Sequence, residues 1–107
     1  MNDENEFKKW MELNTDLSEK SMKNYGGRVR KIAKDLIEQH LTHQNLFEIT
    51  SADDLKELQD KYFRISENKE TDERGRRMYS NAFSKFIEFR SDQGSTPVSD
   101  EGIVYIL

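Results

Sequence analysis

Six cations lie within residues 18–34: Lys20, Lys23, Arg28, Arg30, Lys31 and Lys34, against one acid, Glu19. Five more lie within residues 74–90: Arg74, Arg76, Arg77, Lys85 and Arg90, against one acid, Glu88. The two segments hold eleven of the chain's 17 Lys and Arg but only two of its 21 Asp and Glu. Cations at this density hold phosphate by charge-assisted hydrogen bonds and release its counterions. Between the cations stand Ser21, Asn24, Ser80, Asn81 and Ser84, side chains able to orient a sugar-phosphate or read a base edge. Formal net charge is −4. Polyanion binding follows the field of one face, however, so local sorting outweighs the total. The competing reading is a pair of ordinary solvated helix faces.

These residues must sit on helices. Phe7, Trp10 and Met11 are spaced for one face of a helix over residues 4–14. Leu17-Ser18 reads as a helix entry, with Ser18 as cap and Leu17 as a staple onto Met22. The helix it opens is expected over residues 18–40. Its apolar stripe is Met22, Tyr25, Val29, Ile32, Ala33, Leu36 and Ile37. Lys20, Lys23, Gly27, Lys31 and Lys34 follow at steps of 3, 4, 4 and 3 on the opposite side, a basic ridge with a gap at its middle. Gly26-Gly27 costs roughly 2 kcal/mol in a helix interior. A close approach by backbone or phosphate would explain the pair. A kink, or a helix that starts after Gly27, would also fit.

Leu46, Phe47 and Ile49 form a short apolar connector. Ser51, with Asp54 three residues on, opens a third helix over residues 52–63, with Leu55, Leu58, Tyr62 and Phe63 inward. Residues 64–73 read as a charged loop. A fourth helix is expected over residues 72–91, with Met78, Tyr79, Ala82, Phe83, Phe86, Ile87 and Phe89 on its apolar side. From Ser91 the composition turns to that of a linker, ending in Ile103-Val-Tyr-Ile-Leu107. That apolar run is either the first strand of a further domain or a segment packed on the helices. The expectation is an all-α, four-helix domain over residues 1–91 with a flexible tail over 92–107.

Composition narrows the chemistry. The chain has 107 residues, one domain at most, and 36% of them are charged. Cysteine is absent, which removes disulfides, thiolate metal sites and a thiol nucleophile. No apolar run is long enough for a membrane span or a signal peptide, so a cytoplasmic, soluble chain is expected. His40 and His43 have metal-ligand spacing but no cysteine or arranged carboxylate beside them, so they read as a loop pair. Asp53-Asp54, the 70–73 acids and Asp100-Glu101 fall in caps, loops and tail, away from any strand pair a nuclease would need. Gly26-Gly27 lacks the lysine and serine of a phosphate loop. No cofactor or metal is implied.

The segment Leu17-Ser-Glu-Lys-Ser21-x-x-x-Tyr25, followed by a basic amphipathic helix, resembles the L-S-x-x-T-x-x-x-Y opening of the SAM-like core-binding domain of tyrosine recombinases. Tyr79-Ser-x-Ala82-x-x-x-Phe86-x-x-Phe89 is similar to that domain's last helix, and Leu46-Phe47-x-Ile49-x-Ser51 fits its connector. A closer likeness is to helical N-terminal modules ahead of the nuclease domains of bacterial restriction endonucleases, in the phrases LSEKS, LFEIT and RMYSNAF. The resemblance covers about residues 5–91. It implies duplex DNA as the partner, no catalysis within this chain, and DNA contacts from Lys20, Ser21, Asn24, Arg28, Lys31, Arg77, Ser80 and Lys85. The chain departs from the recombinase pattern at Gly26-Gly27 and in its acidic third helix. Residues and resemblance together predict phosphate contacts from Lys20, Lys23, Arg28, Lys31, Lys34, Arg74, Arg76, Arg77 and Lys85. Ser21, Asn24, Ser80 and Asn81 are expected to orient or read. A catalytic domain C-terminal to the chain is the expected second partner. The alternative is a protein-interaction or self-association module that uses the acidic segments and the apolar tail.

Overall fold

The computed structural model describes residues 3–95, whose regular elements are all helical: α1 (Asp3–Asn14), α2 (Glu19–Glu38), a 3-10 turn (Leu46–Glu48), α3 (Ala52–Arg64), α4 (Ser66–Arg74) and α5 (Met78–Ser95). None of these helices is long and apolar enough to cross a membrane.

Local chemistry sets the ends. Ser18 Oγ accepts the Ser21 N–H at 3.1 Å and caps α2, as its position implied. Ser51 caps α3 in the same way through the Asp54 N–H at 3.2 Å. α2 closes with His40 at φ 61°, the Leu41 N–H donating to Leu36 O at 2.9 Å and the His40 N–H to Ile37 O at 3.1 Å. That is a Schellman closure with histidine where glycine is usual.

Four helices were expected and five are present among the described residues. The charged stretch after Arg64 is helical as α4, separated from α3 only by Ile65. It has no apolar stripe, which hid it. Glu, Lys and Arg favour helix intrinsically, and two polar side chains anchor it. Buried Asn68 donates to Tyr62 O at 2.9 Å and exchanges amide hydrogen bonds with Gln39, the residue that caps the C-terminus of α2, at 2.8 and 3.0 Å. Buried Asp72 accepts the Ser80 N–H at 2.9 Å. The last helix therefore starts at Met78 rather than near residue 72, and it runs to Ser95, past the expected linker boundary at residue 91. The apolar run at 103–107 lies outside the described residues.

α5 lies at the centre. It packs on the other four helices, most extensively on α2. The Phe86 ring meets Phe7 of α1 edge-on at 5.3 Å and Phe47 of the connector at 5.4 Å. Phe83 meets Phe63 of α3 at 6.5 Å. Trp10 packs on Phe89 at 5.9 Å, and its Nε1 donates to Asp92 at 2.7 Å.

α2 runs unbroken through Gly26-Gly27. No backbone crowds the pair. A Cβ at Gly26 would lie 3.8 Å from Glu4 Oε2, and one at Gly27 3.5 Å from the Arg30 guanidinium, both ordinary contacts. Gly26→Ala and Gly27→Ala are each expected to raise unfolding free energy by about 0.5–1 kcal/mol, read by urea titration. A loss of stability in either would contradict this packing.

Candidate anion-binding face

Helical period separates α2 into two sides. Met22, Val29, Ile32, Ala33 and Leu36 are buried. Lys20, Lys23, Lys31 and Lys34 are exposed on the other side. Two of these lysines are ion-paired within the helix: Lys31 to Asp35 at 2.8 Å and Lys34 to Glu38 at 3.9 Å. Arg30 pairs with Glu4 of α1. The Lys34–Glu38 pair is exposed on both sides and worth only a few tenths of a kcal/mol, so a phosphate can compete for Lys34. Lys20 and Lys23 make no ion pair among the described residues.

The middle of the ridge reaches the last helix. The Arg28 guanidinium lies 5.1 Å from the centre of the half-buried Tyr79 ring on α5, and Lys31 Nζ 5.8 Å from it. Such contacts are worth about 0.5–1 kcal/mol at exposed sites and more when desolvated. Asp35 ties in the third helix, because its Oδ2 accepts from both Lys31 Nζ and Tyr62 Oη, the latter at 2.6 Å. One carboxylate thus joins α2 to α3, while a cation pair joins α2 to α5. Burial, and then the Asp35 hydrogen bond, push the Tyr62 phenol well above its ordinary value. The same carboxylate holds the Lys31 ammonium above its own, against a smaller opposing desolvation. Arg28 is consequently part of the helix seam, and its Nε is buried without a hydrogen-bond partner. Its sequence pattern suggested a free phosphate grip.

The second basic segment is divided. Arg74 ends α4; Arg76 and Arg77 form the corner before α5, at φ 57° and 63°; all three are exposed. Lys85 is half-buried and pairs with Glu88 at 3.2 Å. Arg90 does not belong to any charged face. It is 5% exposed, donates from Nη2 to Phe47 O, and lies 5.3 and 5.1 Å from the Phe86 and Phe89 rings. The eleven cations therefore cannot act as one surface.

Arg77 and Ser80 line a groove of about 650 Å³ on the α3–α4 side, where Lys56 and Lys69 stand among Asp60 and Glu73. Ser80 Oγ donates to Arg77 O at 3.2 Å. Ser84 Oγ accepts from Gln59 at 2.9 Å, and Ser21 Oγ accepts from Ser18 at 3.1 Å. These three hydroxyls already serve the fold. Asn24 is half-buried beside the ridge, and Asn81 is exposed on α5.

Sequence reasoning missed Asp72, Arg90 and the Asp35–Tyr62 bond. Arg90 was findable, since it falls on the line Phe83, Phe86, Ile87, Arg90 of one helix face. The other two depend on tertiary pairing.

Tyrosine and lysine in the unfolded chain titrate at ~10 and ~10.4. Both Tyr62 and Lys31 hold their protons to higher pH when folded. Their contribution to stability is therefore complete below pH ~10 and is lost as pH rises beyond it. Tyr62→Phe is expected to cost about 1 kcal/mol at neutral pH, and to flatten the alkaline fall in unfolding free energy measured by urea titration. An unchanged alkaline slope would contradict the Tyr62–Asp35 bond. No protein-family model, curated protein or solved structure matches this chain.

Proposed function

We propose that this chain is a non-catalytic module that grips duplex DNA with the outer face of α2 and the arginine corner between α4 and α5. The observation that carries this reading is the pair of contacts from Arg28 and Lys31 to Tyr79. They bring the middle of the basic helix against the first turn of α5, two residues after Arg77. Lys20, Lys23, Arg76 and Arg77 are exposed cations without ion pairs among the described residues. Lys34 adds a cation held only by a weak, exposed pair. Asn24 and Asn81 are the side chains best placed to orient or read, because the serines are engaged. Gly27 lies in the ridge with the Arg30 guanidinium beside it, 3.5 Å from where its Cβ would be, which adds a cation between the flanking lysines.

The finer readings rest on the sequence likeness alone. They are a SAM-like core-binding bundle, and an N-terminal recognition module joined to the catalytic domain of a restriction nuclease or recombinase-like protein. The all-α architecture is compatible with both. The added α4 and the arginine corner are features that the likeness does not supply.

The test is fluorescence anisotropy with a labelled random duplex at about 50 and about 200 mM salt. Four phosphate contacts give a log–log slope on the order of −3.6 and roughly a hundredfold loss of affinity over that range. Lys20→Gln with Lys23→Gln is expected to reduce the slope by about 2 and to weaken binding alike on all sequences. Those positions are chosen because they are exposed, whereas replacing Arg28 would also disturb the helix seam. Absence of binding by the folded protein at low salt would overturn the reading and direct attention to protein partners of the acidic surface.

A further inference from the structure

Asp72 is an acid in the wrong place for a protein that binds a polyanion, yet it is 7% exposed, buried next to the arginine corner. Ionised carboxylates are buried only when their charge is answered. Asp72 makes no ion pair among the described residues. Its Oδ1 instead accepts the Ser80 N–H at 2.9 Å, where the amides at the start of α5 favour negative charge. Its main-chain oxygen accepts the Arg77 N–H at 2.7 Å. One residue therefore ties both the corner and the first turn of α5.

The corner itself is unusual. Arg76 and Arg77 both take left-handed backbone, at φ 57° and 63°, while Gly75 beside them sits at φ −90°. Left-handed backbone is unfavourable for a residue with a Cβ and free for glycine. A corner built only to turn the chain would place its glycine there. Two arginines hold the strained positions instead, exposed and without ion pairs among the described residues, although Arg77 shares its groove with Asp60 and Glu73. Strain retained at specific residues is characteristic of binding and clamping sites.

We infer that Asp72 is a positioning residue for DNA binding: by fixing the corner it presents Arg76 and Arg77 to the phosphate backbone. This rests on the DNA reading above. It makes a prediction opposite in sign to simple electrostatics, by which deleting an acid beside the site should tighten binding to DNA.

Asp72→Ala, Asp72→Asn and Arg76→Ala with Arg77→Ala are compared with the unaltered chain by anisotropy across salt, after circular dichroism confirms folding. Asp72→Ala is expected to weaken binding roughly tenfold and to reduce the salt slope by about 1–2, the loss of one or two phosphate contacts. Asp72→Asn keeps an oxygen that can accept the Ser80 N–H, so it should match the unaltered chain in slope and bind at least as tightly. The double arginine variant leaves the cap untouched and should lose the same slope. Strong intraresidue N–H to Hα NMR contacts at residues 76 and 77 report left-handed backbone. They should persist in Asp72→Asn and weaken in Asp72→Ala, where only the main-chain bond from the Arg77 N–H to residue 72 still holds the corner. Tighter or unchanged binding by folded Asp72→Ala, or an unchanged slope in the double arginine variant, overturns the inference while the DNA reading stands. No binding by the unaltered chain at low salt overturns both.

Discussion

The ring of Phe86 touches three parts of the chain at once: Phe7 of α1, Phe47 of the connector and Phe89 of its own helix. In a chain that is 34% hydrophobic, little else can do this. Leu46, Leu55 and Phe83 complete the interior around it and are fully buried. Removing a buried phenylalanine costs on the order of 3–5 kcal/mol, a large share of the net stability of a domain this size. The aromatic interlock on α5 therefore fixes where α1, the connector and α3 lie. It also explains the buried Arg90, whose guanidinium joins the ring cluster to the Phe47 carbonyl.

Committing one side of α2 to that core leaves its other side free to carry charge. The seam between α2 and its neighbours is polar: Asp35 with Tyr62, Gln39 with Asn68, and Arg28 with Tyr79. Directional contacts of this kind set the rotation of α2 more sharply than apolar contacts do, because each bond demands a particular partner. The outward direction of Lys20 and Lys23 is a consequence. α3 and α4 carry eight acids against five cations, whereas the outer side of α2 carries Lys20, Lys23, Lys31 and Lys34. That asymmetry is the physical basis of the DNA proposal, and of its protein-partner rival.

The first three helices were legible because Phe7 and Met11, Met22 and Val29, and Leu55 and Leu58 recur at helical spacing, the second and third after the serine caps Ser18 and Ser51. α4 was illegible because its buried residues are Asn68 and Asp72, and polar anchors leave no hydrophobic period. The corner carried a misleading sign: Gly75 marks the break, but the left-handed backbone falls on the arginines after it. For the site, exposure of the α2 lysines followed directly from periodicity. The partial burial of Arg28 and the engagement of Ser21, Ser80 and Ser84 did not, since each depends on a neighbour set by tertiary packing. Charge counting alone credited Arg90 to a surface it does not reach.

The most direct test of the DNA account is to titrate the isotope-labelled protein with a short random duplex and follow backbone amide shifts. Duplex DNA docked as described should move most strongly the amides of α2 around Lys20, Lys23 and Gly27, together with those of residues 74–79. Shifts confined to the acidic surface of α3 and α4, or none at low salt, would contradict it.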